Sequence, residues 1–316
     1  MGNVALLETP GRASTDGPEA KLRTVAVVGT GAIGTSVALA LWRQGVCTYL
    51  LDRDPDAASV ASRCGAGAVG PPTGPVDLAV LAVPPRSIAE VLAEQQQRGL
   101  ARWYTDVASV KSDPLRCAQE LGCDMTTFVG GHPIAGTERS GPAAAAETLF
   151  CGRRWVLTPL PETATETVAA ACELIQLCGA HPVFLDHNCH DRLLARTSHL
   201  PHLIAAALAA TLDGADETAL QLCGTGIRDA TRIAAGDQQL WTDILRSNAV
   251  EVVEALTGVI AALTAASQAL LTSDALTGMS DALTSLLARG NAGRAALTTP
   301  GPNHHEQKEV NGERLR

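Results

Sequence analysis

From Thr24 to Asp186, short apolar runs of strand length alternate with longer stretches of helical periodicity. The runs are Thr24 to Val28, Thr48 to Leu51, Asp77 to Val83, Trp103 to Val107, Thr127 to Gly130, Arg154 to Thr158 and Pro182 to Leu185. Such alternation predicts a mostly parallel sheet covered by helices on both faces, an α/β architecture. After Asp186 the strand signals stop. Helical periodicity then runs through Asn188 to Leu212, Thr218 to Ile233, Trp241 to Ser273 and Ala275 to Ala288. The pattern therefore predicts a flexible leader over 1–21, an α/β domain over 22–186, an all-helical domain over 187–289 and a disordered tail over 290–316. Ligands of such sheets bind beyond the carboxyl ends of the strands, where one crevice can collect the segments just after Val28, Leu51, Val83, Val107 and Gly130.

The first of these segments is Gly29-Thr-Gly31-Ala32-Ile33-Gly34, directly after one apolar run and directly before the helical stretch from Thr35 to Gln44. A G-x-G-x-x-G pattern alone is weak, but with strand and helix in order it predicts a Rossmann-type dinucleotide loop. Gly29 permits the tight turn, Gly31 lets a pyrophosphate approach, and Gly34 lets helix and strand pack closely. Ala32 and Ile33 complete the loop expected to contact the cofactor, and the N-terminus of the helix that follows favours phosphate. Asp52 follows the second strand, where a carboxylate accepts hydrogen bonds from the adenine ribose and repels a 2'-phosphate. NAD is thus favoured over NADP, with Arg53 the one residue beside it suited to the extra phosphate.

Lys and Arg number 24 against 33 Asp and Glu, a formal charge of −9, which argues against a nucleic-acid or anionic-membrane partner. Nine cysteines without a C-x-x-C pair are expected of reduced thiols in a cytoplasmic protein. The leader lacks the basic start and apolar stretch of a secretory signal. Ala255 to Ser273 is uncharged and long enough to span a bilayer. It is rich in Ala, Thr, Ser, Gln and Gly, which suits a helix buried between other helices, at a subunit interface, better than one in lipid.

Candidate chemistry lies at the later strand ends. Asp106-Val-Ala-Ser109-Val-Lys111 delivers a hydroxyl and an ammonium to the crevice, although Ser109 also suits the cap of the following helix. Gly130-Gly-His132-Pro-Ile-Ala-Gly-Thr-Glu138-Arg-Ser-Gly141 places one histidine among glycines just past a strand end. An imidazole with a pKa near roughly 6.5 accepts a hydroxyl proton at neutral pH as hydride leaves the same carbon, so His132 is the candidate base. His190-Asp191 and Ser198-His199-Leu-Pro201-His202 bring three more histidines onto the first helix of the second domain. No cysteine or carboxylate completes a metal set at familiar spacing, and Pro201 kinks the helix between His199 and His202, so no metal is expected. Arg228 and Arg232 stand one helical turn apart. Either serves to bind a carboxylate through two parallel hydrogen bonds, or both are surface residues paired with Asp229 or Asp243.

Together these motifs resemble the prephenate and arogenate dehydrogenases of tyrosine biosynthesis, over about Thr24 to Ala288. The block around His132 and the Ser198 to His202 pentapeptide are the specific ones. The resemblance implies NAD-dependent oxidative decarboxylation of a dicarboxylate cyclohexadienol. It implies that His132 accepts a hydrogen bond from the substrate hydroxyl, Ser109 orients His132 and the nicotinamide, Arg232 holds a substrate carboxylate, His202 contacts the substrate side chain and Glu138 gates the pocket. It also implies a homodimer formed by the helical domain. Prephenate is the first substrate expected; arogenate and 4-amino-4-deoxyprephenate are the alternatives, since His132 and Arg232 serve all three. A 3-hydroxyacid dehydrogenase using a lysine on the helical domain is disfavoured, because that domain lacks lysine before Lys308. A silent NAD-binding sensor would lack the base or the carboxylate anchor, and Ser109, His132 and Arg232 are all present.

Overall fold

The computed structural model describes residues 22–136, 139–272 and 281–298. Eight strands form one sheet: β1 (Thr24–Val28), β2 (Cys47–Leu51), β3 (Ala68–Val69), β4 (Val76–Leu81), β5 (Ala101–Asp106), β6 (Phe128–Pro133), β7 (Arg154–Thr158) and β8 (His181–Phe184). Their order is β3-β2-β1-β4-β5-β6-β7-β8. All neighbours are parallel except β6 and β7. The mostly parallel sheet is as expected, and β3, with two residues, is too short to leave a pattern in the sequence. The chain starts in the middle of the sheet at β1 and runs outward both ways, so the crevice opens where β2 and β4 flank it.

Successive side chains of a strand point to opposite faces, and the cores divide accordingly. Val25 and Val27 of β1 join Leu50, Leu78 and Val80 under α1 (Ala32–Arg43) and α5 (Thr165–Leu177). Ala26 joins Leu81, Ile88, Leu92 and Tyr104 on the other face, under α3 (Ile88–Gln97) and α4 (Ser112–Glu120), while α2 (Pro55–Arg63) follows β2. Burial on both faces explains why the strands read as unbroken apolar runs.

β6 changes partner partway. Its parallel ladder with β5 pairs Tyr104 with Phe128 and Thr105 with Val129. From Gly130 to Pro133 it pairs antiparallel with β7, His132 facing Val156. The strand expected to stop at Gly130 therefore continues, and His132 lies within it rather than beyond its end. The two glycines are required by crowding: a Cβ on Gly130 would lie 2.6 Å from the Thr158 hydroxyl, and one on Gly131 2.6 Å from the Asp106 carbonyl oxygen.

Past β8 the chain is helical: α6 (His187–Leu194), a π-helical turn Ala195–His199, α7 (Leu200–Ala210), α8 (Glu217–Gln221), α9 (Thr225–Thr231), a 3-10 turn Arg232–Ala235, α10 (Gln238–Ser247), α11 (Ala249–Thr272) and α12 (Asp281–Thr298). The Asp186 side chain caps α6 by accepting from the N–H groups of Asn188 and Cys189. Pro201 lies in the first turn of α7, directly after the wide π turn, where its missing N–H costs little. α12 carries helix past Gly290, where the tail is expected to begin, because Arg294, Ala295, Ala296 and Leu297 are strong helix formers. The leader over 1–21 and the residues from 299 onward lie outside the described residues.

Two compact units divide after Val252. The first holds the sheet and α1 to α10; the second holds most of α11 together with α12. α11 is long and apolar enough to cross a membrane by length and composition. Val250, Val253, Ile260, Leu263, Leu270 and Leu271 are exposed along it.

Candidate active site

The glycine loop is shaped for a close ligand. Gly29 has φ +100°, and a Cβ there would lie 2.3 Å from the Ala82 carbonyl oxygen; one on Gly34 would lie 2.0 Å from the Gly29 carbonyl oxygen. At Gly31 a Cβ would meet nothing within 4 Å, so the loop backbone is open there. Gly31 is the N-cap of α1 and offers no capping side chain, which leaves the first-turn N–H groups, including those of Ala32 and Ile33, to an outside acceptor. Asp52 reaches over the loop from the end of β2. One carboxylate oxygen accepts from the Thr30 N–H at 2.6 Å and from the Thr30 hydroxyl at 2.8 Å, and the other accepts from the Asp54 N–H at 2.9 Å. Arg53 is exposed beside it. These residues fit the pyrophosphate and ribose of a dinucleotide.

His132 is buried at the end of β6, with its Nδ1 2.8 Å from Nε2 of His190. The two rings meet edge to face at 5.1 Å. His190 Nδ1 in turn lies 2.8 Å from Oδ1 of Asp191. Asp191 is fixed by the backbone: Oδ1 accepts from the Lys111 N–H at 2.9 Å and Oδ2 from the Ser112 N–H at 2.8 Å. Asn248 donates from Nδ2 to the Asp191 carbonyl oxygen at 2.8 Å and lies 3.0 Å from Nδ1 of His199. Trp241 then stacks on His202 with ring centroids 3.5 Å apart, and meets His199 edge-on. His132 and His202, distant in sequence, are thus connected by hydrogen bonds as far as His199 and by the ring contacts of Trp241 beyond it.

Burial holds His132 neutral well below the ordinary histidine pKa, helped by His190, the Lys111 ammonium and His199. His190 and His202 are lowered by burial too, and His199 is pushed down to about 4. For Asp191, burial pushes the pKa up, yet the hydrogen bonds from His190 and from the Ser112 and Lys111 N–H groups outweigh it and hold the carboxyl below its ordinary value.

The structure corrects the placement of Lys111. Its ammonium does not enter the crevice: it is buried, ion-paired with Asp106 and 2.7 Å from the Gly131 carbonyl oxygen. An ammonium that can reach a buried carboxylate and a strand carbonyl is held by them in preference to an open cleft. Ser109 is half-buried on the loop before Lys111. Among the described residues it makes no hydrogen bond to His132, whose Nδ1 is taken by His190, and the cap of α4 is Lys111. Arg232 is exposed at the start of its 3-10 turn, which leads to Gly236, packed against Trp241 and His202. Arg228 is exposed on α9. Glu138 lies outside the described residues. In the sequence His190 and Asp191 suit a structural or substrate-contacting role without pointing to His132. Their signal was an adjacent His-Asp pair just after the Asp186 cap.

Comparison with known proteins matches two family models, "Prephenate dehydrogenase, nucleotide-binding domain" over residues 37–184 and "Prephenate dehydrogenase, dimerization domain" over 186–286. The probable prephenate dehydrogenase NovF of Streptomyces niveus is 45% identical over 74% of this chain and 65% of its own length, so the chain spans a little under two thirds of that relative. The cyclohexadienyl dehydrogenase of Zymomonas mobilis is 30% identical over 76% of this chain and 85% of its own. Among solved structures, prephenate dehydrogenase from A. aeolicus, in complex with hydroxyphenyl propionate and NAD+, is 28% identical with a TM-score of 0.76, covering 88% of this chain and 99% of that one. The arogenate dehydrogenase of Synechocystis is 27% identical with a TM-score of 0.68 over 87% and 99%. Two family models that together cover most of the chain, and a relative 30% identical over 85% of its own length, show that this chain belongs to the prephenate dehydrogenase family.

Proposed function

We propose that this chain is an NAD-dependent prephenate dehydrogenase, and the observation that carries the reading is the neutral, buried His132 held by His190 at the carboxyl end of a strand in the same sheet that presents the glycine loop. Bound NAD supplies the hydride acceptor. His132 takes the proton of the ring hydroxyl as hydride leaves the carbon that bears it. The ring carboxylate then departs as carbon dioxide, its bonding pair enters the ring, and the proton returns to the oxygen of the new phenol. Aromatisation makes the step effectively irreversible. From the neighbouring loop Ser109 orients the nicotinamide and engages His132 on the Nε2 side that His190 leaves open, Arg232 holds a substrate carboxylate, and Glu138 gates the pocket. His202 meets the substrate side chain, a role supported by its buried Nδ1, which has no hydrogen-bond partner among the described residues.

We read the chain as an α/β domain over 22–186 and a helical domain over 187–289, a reading supported by two family models that adjoin between 184 and 186. The exposed apolar side chains of α11 and the dimerization description of the second model support a homodimer, which places α11 against protein rather than lipid. We assign the enzyme to the cytoplasm, where its nine cysteines stay reduced.

The test is NADH formation, followed by absorbance, with purified protein, NAD and separately prephenate, arogenate and 4-amino-4-deoxyprephenate. Turnover of prephenate with a clear preference supports the reading. A preference for either relative moves the substrate, and no turnover of any with NAD or NADP rejects the activity.

A further inference from the structure

The structure assigns to His190 a positioning role that no sequence motif announces: it fixes His132 in the tautomer that carries hydrogen on Nδ1, leaving Nε2 as the atom that accepts the substrate proton. This rests on the reading of His132 as the base and specifies its chemistry.

The assignment follows donor by donor from Asp191. Both oxygens of that carboxylate already accept backbone N–H bonds, from Lys111 and Ser112, and an ionised carboxylate can only accept. His190 Nδ1, 2.8 Å from Oδ1, must therefore be the donor. A neutral imidazole has one donor and one acceptor, so Nε2 of His190 is bare. That bare nitrogen lies 2.8 Å from Nδ1 of His132, which must then carry the hydrogen. The remaining nitrogen of His132, Nε2, is a lone pair. In the opposite tautomer two bare nitrogens would face each other at 2.8 Å in a buried site, an arrangement without a hydrogen bond and with mutual repulsion.

The same chain supports the charged state. When Nε2 accepts a proton, the bond from His132 Nδ1–H to His190 remains and becomes charge-assisted, with the Asp191 carboxylate behind it. The groups facing this pair are Asp106 at the end of β5, Lys111 from the segment after it, Asp191 from α6 and His199 from the π turn. Lys111 and His199 oppose a long-lived imidazolium on His132, so the proton is returned readily to the product oxygen. His190 itself touches no reacting atom.

The test combines spectroscopy with kinetics on the full chain. Long-range proton–nitrogen correlation spectra of ring-labelled histidine, with the His132 signals assigned through His132→Asn, report the tautomer directly. The expected result at neutral pH is a protonated Nδ1 and a bare Nε2. A protonated Nε2 overturns the proposal. In turnover, His190→Leu is expected to lower kcat by about a hundredfold with NAD affinity within about twofold, as for loss of a base-orienting partner. His190→Gln, whose side-chain oxygen can accept where Nε2 stood, is expected to recover to within about fivefold of the parent. Equal impairment of both variants, or unchanged kcat in His190→Leu, makes His190 a packing residue and overturns the proposal. Undiminished turnover in His132→Asn would instead remove the base itself, whatever tautomer the spectra show.

Discussion

Lys111 Nζ lies 2.7 Å from the carbonyl oxygen of Gly131, the residue before His132. Asp106, ion-paired with the same ammonium, accepts from the Gly131 N–H at 2.9 Å, so the N–H and the carbonyl of one residue are both held by one buried ion pair. The pair sets the backbone from which the histidine projects, just where β6 leaves β5 and joins β7.

Breaking that pair on one side leaves a buried carboxylate without its counter-ion. Lys111→Met is expected to destabilise the protein by about 3–5 kcal/mol. Chemical denaturation with the midpoint and slope both fitted measures it, and a midpoint equal to the parent's would mean the pair contributes nothing to the fold.

The loop glycines Gly31 and Gly34 are expected to separate by function. Gly34→Ala drives a Cβ to 2.0 Å from backbone and should lower the melting temperature sharply, whereas Gly31→Ala meets open space and should leave it near the parent value. Gly31→Ala should still weaken NAD, by about tenfold or more, because the methyl stands where the pyrophosphate approaches. Calorimetric titration with NAD, alongside thermal melts, distinguishes the two, and full NAD affinity in Gly31→Ala would place the cofactor elsewhere.

His132→Asn is expected to reduce kcat by on the order of a hundredfold or more while NAD affinity stays nearly intact. In the parent enzyme the acid limb of kcat/KM should fall below pH 6.5, because burial holds the imidazole in its accepting form. A limb at or above that value would mean that another group governs activity.

Arg232→Gln should chiefly raise the Michaelis constant for substrate, by roughly ten- to a hundredfold, with kcat less affected, as for the loss of a charge-assisted carboxylate contact. An unaltered constant assigns Arg232 to structure.

Stability should decline on mild acidification. His199 titrates at about 4 in the folded state against about 6.5 unfolded, and His132, His190 and His202 are lowered as well. A depressed folded pKa gives stability that is fully present above pH 6.5 and lost as pH falls toward 4, on the order of 3 kcal/mol from His199 alone. Denaturation midpoints between pH 7 and pH 5 test this, and a flat profile would mean that these rings are solvated.

The sequence by itself determined the α/β layering, the glycine loop with Asp52, the helical second region and the presence of His132, because each is written in local periodicity or in a short contiguous motif. Tertiary structure alone decided what those residues touch. Lys111 read as a cation for the cleft and became half of a buried pair with Asp106, held there by the Gly131 carbonyl, which meets it only once β5 and β6 are adjacent. His132 read as lying beyond a strand, yet β7 extends that strand past Gly130, and antiparallel pairing with a distant segment leaves no local signal. His190 was visible as a residue and invisible as a partner of His132: a hydrogen bond across 58 positions depends on where two elements pack, which no period along the chain encodes.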